Sequence, residues 1–273
     1  MKKALALALV ALPVAVFAEP PSAAPAPHID VSKLPQQARL IDDVVVPVPS
    51  EIFGVLDKLG SPHWSSVQHP ITGVVSTTGE QPQIALMLGT VIAEGFIAVE
   101  AHDAAQVKQI GKSVIKLATP LNVDTEIKKR AAAITSAADK SDWNGVRKEL
   151  DGTMDDVKRS MLKMNSEALS QLVSLGGWIR GTEALTAVVG AAYTKDGAEL
   201  LHQPVLLDYF ERRLATLKPK YKANPIVTQV QKGMLDIRPL FGLSDDVVIS
   251  EKSVAEINRI TAELIKSINS KAP

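Results

Sequence analysis

Two stretches of the chain are apolar on every side: residues 84–99, IALMLGTVIAEGFIAV, and residues 169–192, LSQLVSLGGWIRGTEALTAVVGAA. A helix with no polar face must be enclosed by other helices or by lipid. The first stretch carries a single charge, Glu94, and the second carries Arg180 and Glu183. The segments between and after them are amphipathic. Val107, Ile110, Val114, Leu117 and Leu121 share one helical face, with Lys108, Lys112 and Lys116 on another, and Pro120 stops the pattern. Residues 124–140 turn Ile127, Ala131, Ile134 and Ala138 inward. From a Ser141 cap, Trp143, Val146, Leu150, Met154, Val157, Met161 and Met164 recur at threes and fours and read as a core stripe. Ser166 is placed to cap the second apolar helix. Asp196 starts a helix that Pro204 breaks or restarts, with Leu207, Phe210, Leu214 and Leu217 as its inner face. Asn224-Pro225 joins a capping side chain to a proline in the first turn. Pro239 and Gly242 end that helix. Ser250 opens the last one, whose stripe is Val254, Ile257, Ile260, Leu264 and Ile268.

The expected fold is therefore all-α: a multi-helix bundle of about nine helices around two central apolar helices, up-and-down or stacked right-handedly, with no significant β-sheet. Leu88-Gly89-x-x-Ile92 and Leu175-Gly176-x-x-Ile179 match in spacing, one in each central helix, a hint of an internal repeat.

The first part of the chain has a different grammar. Residues 1–18, MKKALALALVALPVAVFA, combine a positive start, an apolar run and a small-residue cleavage pattern, which predicts a secretory signal peptide cut after Ala18. The run is short of the roughly 20 residues a spanning helix needs. Residues 19–49 are an extended Pro/Ala-rich segment in which 41–49, IDDVVVPVP, is at best an edge strand or a polyproline segment lying on the bundle, because Pro47 and Pro49 donate no hydrogen bond. Ser50 is placed to cap a short helix ended by Gly60. Residues 50–273 are expected to form a single helical domain, or two packed halves at about 50–165 and 166–273. Residues 60–82 show no helical period and many turn formers. A connection of that length is uncommon inside a compact domain, and is usually functional or disordered.

Composition narrows the chemistry. The chain holds 30 basic and 30 acidic residues, and removing Lys2 and Lys3 leaves a net charge of −2. Such balance gives no electrostatic basis for binding nucleic acid. There is no cysteine, which excludes disulfides, thiolate metal sites, cysteine nucleophiles and a cysteine-linked lipid anchor. No nucleophile elbow, phosphate loop, zinc-protease helix or dinucleotide glycine pattern occurs.

Two groups of residues remain as candidates. Glu94, Arg180 and Glu183 lie among apolar neighbours, where an unpaired ion costs several kcal/mol. Arg180 is expected to bridge Glu94, Glu183 or both, with Gly89, Gly95, Gly176, Gly177 and Gly181 letting the central helices approach. Such a network fixes the register of two featureless helices, or it forms a ligand or proton site between them. The second group is His63, Trp64 and His69 in the 60–82 loop, a candidate binding loop with Trp64 as anchor. His28, His102 and His202 complete the histidines, and no pair has metal-ligand spacing on a helix, so no metal or other cofactor is assigned.

Gly95-Phe96-Ile97-Ala98-Val99-Glu100 resembles the Gly-x-His-x-x-Glu motif of the imelysin-like family of secreted helical proteins associated with iron uptake. The resemblance implies metal ligation by the histidine and the glutamate. Here it covers six residues, and Ile97 stands in place of the histidine, so no metal assignment follows from it.

The reading that results is a secreted or periplasmic helical protein, non-catalytic, acting by binding or scaffolding on an unknown protein or small ligand of the cell envelope. The mature chain is expected to have no membrane span and no nucleic-acid partner. The alternatives are a small-ligand or metal-binding protein using the Glu94/Arg180/Glu183 core, and a hydrolase without a recognisable motif.

Overall fold

Helix starts in this chain are set by prolines and by short polar side chains. The computed structural model describes residues 39–41, 44–46, 63–73, 75–242 and 248–270; the signal-like segment, His28 and the segment of the expected 51–59 helix lie outside them. Helix α1, Gln81–Glu100, carries Pro82 in its first turn. Helix α2, Ala104–Ala118, begins where the Asp103 carboxylate accepts the Gln106 N–H at 3.0 Å. Helix α3 spans Asp124–Asp139 and α4 spans Trp143–Lys163.

The α4 cap is Asp142, whose carboxylate accepts the Gly145 N–H at 3.0 Å. Ser141, the cap expected from sequence, is one residue too early and instead takes a left-handed φ of 56° that closes the turn. Helix α5, Glu167–Ala191, has Ser166 at its N-cap position, but that hydroxyl makes no capping bond. After α6, Lys195–Glu199, the chain restarts at Pro204 as α7, Pro204–Thr216. A single turn, α8, Pro219–Lys222, leads to α9, Pro225–Ile237, where Asn224 Oδ1 accepts the Ile226 N–H at 3.0 Å and the Val227 N–H at 3.4 Å. Helix α10, Glu251–Asn269, is capped by Ser250 Oγ, which accepts the Ser253 N–H at 3.1 Å.

The fold is an all-α bundle around two apolar helices. Every residue from Pro82 to Val99 of α1 is buried, and α5 is buried along nearly its whole length. The two pack chiefly on each other. Helices α2, α3 and α4 cover one flank, with α2 and α4 against α1. Helices α7, α9 and α10 cover the other, with α10 along α5. Helix α1 is long and apolar enough to cross a membrane, yet its apolar window is entirely enclosed by protein. Each Leu, Ile or Phe so enclosed contributes about 1.5–3 kcal/mol, which is why an apolar helix recruits a full jacket. The amphipathic stripes face inward, except that Met164 is 41% exposed, because α4 ends one residue before it. The β content described is one antiparallel ribbon, β1, Arg39–Ile41, with β2, Val44–Val46, in which Leu40 faces Val45.

The central crossing is made of glycine. A β-carbon at Gly89 would collide with the carbonyl oxygen of Val173, and one at Gly176 would collide with the carbonyl oxygen of Leu86. The relation is reciprocal: each glycine sits against the carbonyl three residues before the other. The two matched Leu-Gly-x-x-Ile segments therefore meet at the crossing itself. A close approach of this kind requires the absence of a side chain.

Candidate functional site

The close crossing brings the charged residues of the two central helices together. Glu94 lies five residues beyond Gly89 on α1, and Arg180 lies four beyond Gly176 on α5. Arg180 Nε donates to Glu94 Oε2 at 2.8 Å, and Nη2 lies 2.6 Å from the same oxygen. Nη1 donates to Oε2 of Glu183, one turn further along α5. Nη2 also donates to the backbone carbonyl of Val67 at 2.5 Å. Arg180, Glu94 and Glu183 are 1%, 4% and 6% exposed, so the cluster is sealed from bulk water. Burying ions costs several kcal/mol each, and the cost is offset only when geometry is good and the remaining donors and acceptors are satisfied. Here they are satisfied, and largely by the backbone of one loop.

That loop is residues 63–73. It enters through a 3-10 turn at Trp64–Ser66 and crosses the ions as a strap. Val67 offers its carbonyl to Arg180. The His69 N–H donates to Glu94 Oε1 at 2.8 Å, taking the carboxylate oxygen that Arg180 leaves. The His69 imidazole Nε2 lies 3.5 Å from Glu183 Oε1. Further along, the Ile71 N–H donates to Gln106 Oε1 at 2.9 Å and Gln109 Nε2 donates to the Gly73 carbonyl at 3.2 Å, tying the strap to α2. On the far side, Asn258 Nδ2 of α10 donates to the Glu183 carbonyl at 2.9 Å and contacts Thr186 Oγ1 at 3.1 Å. The two groups of residues singled out in the sequence, the buried ions and the loop, thus meet in one place.

Within the strap the side chains divide. Trp64 is 5% exposed and, with Val67, belongs to the hydrophobic core. This corrects its expected role: the indole is turned inward and anchors the strap to the protein itself. The reason is the short 3-10 turn, which packs against α1 and drives the large apolar side chain below it. His63, Ser65, Ser66 and His69 face solvent, the His69 side chain being 47% exposed.

His102 and His202 serve local ends. His102, at a left-handed φ of 55°, stacks on Trp143 with ring centroids 5.0 Å apart at 13°, and His202 lies 3.7 Å from Glu199. No group of three or more metal-ligating side chains converges among the described residues. In the six-residue segment resembling the imelysin motif, Ile97 is fully buried in the core and Glu100 pairs with Arg147. No protein-family model, curated protein or solved structure gives a significant match to the chain.

Val67, Gln106 and Asn258 were not legible as members of the site. Val67 and the His69 N–H act through the backbone, which leaves no residue-type signal. Gln106 and Asn258 sit among other polar residues on their helices, and only the docking of strap and of α10 selects them.

Proposed function

We propose that this is a non-catalytic binding or scaffold protein of the cell envelope, delivered there by a leader ending at Ala18. Its working surface is the outer face of the strap, His63, Ser65, Ser66 and His69. The observation that supports this reading is the closure of the ion cluster. The Arg180 guanidinium is consumed by two carboxylates and a backbone carbonyl, and Glu94 is consumed by Arg180 and the His69 N–H. A reaction centre keeps a group in reserve for substrate. This cluster spends its donors on holding a surface segment in one shape. A rigid strap, pre-ordered on an enclosed bundle, presents its exposed polar groups without an ordering cost on binding. The leader-like pattern of residues 1–18 supports the location.

The metal-binding alternative fares less well on electrostatic grounds. The guanidinium already sits between the two carboxylates, where a cation would have to displace it or bear its repulsion. Protein purified from the envelope fraction without chelator should contain less than about 0.1 equivalent of any transition metal by mass spectrometry, a content too low to correspond to a bound site. Stoichiometric metal that is lost in His69→Ala would overturn the scaffold reading.

A further inference from the structure

We infer that the N-terminal helices hold a site for a small single-tailed anionic amphiphile, a carboxylate with an alkyl tail of about six to eight carbons. The inference does not rest on the strap's role. A pocket of about 200 Å³, partly open to solvent, lies between α1, α2, α3 and α4, and its walls are overwhelmingly apolar. Ile92, Val114, Ile127 and Leu150 are among them, one from each helix. Protein interiors are close-packed, and voids larger than a water molecule are few. Apolar cavities stay dry, and one of about 150 Å³ takes up benzene. A somewhat larger one suits a short alkyl tail.

Small residues keep the space open. Gly95, Gly111 and Ala131 all face it, and a β-carbon placed on Gly111 would find nothing within 4 Å. A glycine in the middle of α2 costs about 1 kcal/mol against alanine, and no close backbone approach requires it here. Two lysines, Lys108 and Lys112, join the lining from the polar edge of α2. Lys108 is engaged by Asp139. Lys112 is exposed and has no ion-pair partner among the described residues. An apolar chamber with one uncommitted cation at its rim selects a ligand that is apolar along its length and negative at one end. A neutral or cationic amphiphile of equal length lacks the second contact.

The test titrates the full chain with octanoate, octan-1-ol and octylammonium, each below its micelle concentration, and follows amide and methyl shifts by NMR. Octanoate should move the residues lining the cavity and bind about tenfold or more tightly than octylammonium, as a charge-assisted contact to Lys112 demands. Lys112→Glu should remove that preference while leaving octan-1-ol binding unchanged. Gly111→Leu should fill the chamber, abolish binding of all three and leave the melting temperature unchanged or higher, and Ala131→Leu provides a second filling variant should the first fail to fold. Octanoate shifts confined to other parts of the surface, equal affinity for octylammonium, or undiminished binding in both filled variants would overturn the inference.

Discussion

Arg180→Leu should lower the unfolding free energy by about 3–5 kcal/mol, the usual cost of removing one partner from a buried ion pair. The estimate follows from what the substitution leaves behind. Glu94 and Glu183 are 4% and 6% exposed. Without the guanidinium they are two carboxylates in one sealed site, and the Val67 carbonyl loses its donor as well. The leucine itself is welcome among the apolar neighbours of α5, so the loss is electrostatic and does not come from packing. Replacing Glu94, Arg180 and Glu183 together by apolar residues should cost less than the single change, because no orphaned charge remains. It should not be free. The His69 N–H and the Val67 carbonyl would still lack partners, at about 1–3 kcal/mol for each group left buried. Chemical denaturation of the single and triple variants measures both numbers. A single variant that unfolds at the wild-type midpoint would contradict the account of the cluster.

Gly89→Ala or Gly176→Ala should be at least as damaging, costing about 3 kcal/mol or more, at the top of the usual range for overpacking. Intrinsic helix propensity argues the other way, since alanine is favoured over glycine by about 1 kcal/mol within a helix. The clash decides the sign. The added β-carbon would meet backbone carbonyl oxygen, of Val173 or of Leu86, which cannot rotate aside as a side chain can. The two central helices would have to separate, and the alignment of Glu94 with Arg180 would go with them. Two neighbours serve as internal controls. At Gly177 a β-carbon would make ordinary contacts, 3.6 Å from the Gly89 carbonyl and 4.0 Å from Met154, so alanine should be nearly neutral there. At Gly111 nothing lies within 4 Å, and alanine should gain about 1 kcal/mol. Thermal melts of the four alanine variants should therefore separate them widely. Four similar melts would show that the crossing is not the tight contact described.

Much of the helical architecture was legible in the residue pattern, for a physical reason. Period and capping are local properties, and Asn224, Ser250 and Pro82 announce their helices within four residues. The two central helices stood out because a segment with no polar face has only one kind of place to go. Misplacements occurred where two local signals competed. Ser141 and Asp142 are both good caps, and the left-handed turn at Ser141 gave the position to Asp142. Met164 continued the α4 stripe in sequence but fell past the last turn. The strap could not be read in the same way. Residues 63–73 have no period from which to infer a buried side, so Trp64 gave no sign of pointing inward. The contacts that fix the strap are made by a carbonyl and an amide hydrogen, groups every residue carries. The charges within the two central helices were visible because they were out of place. Their partnership with a loop more than twenty residues upstream was a tertiary fact.

A surface loop is held by ions buried beneath it, and the amide of His69 reports on that hold directly. That N–H sits in a segment with no regular secondary structure, yet it donates to Glu94 under the strap. Native-state hydrogen exchange should find it protected to nearly the same degree as the core amides of α1, and in Arg180→Leu it should lose far more protection than those amides, whose exchange speeds up only by the loss of global stability. Exchange of the His69 amide at the rate of an unstructured peptide in the wild-type protein would contradict the claim.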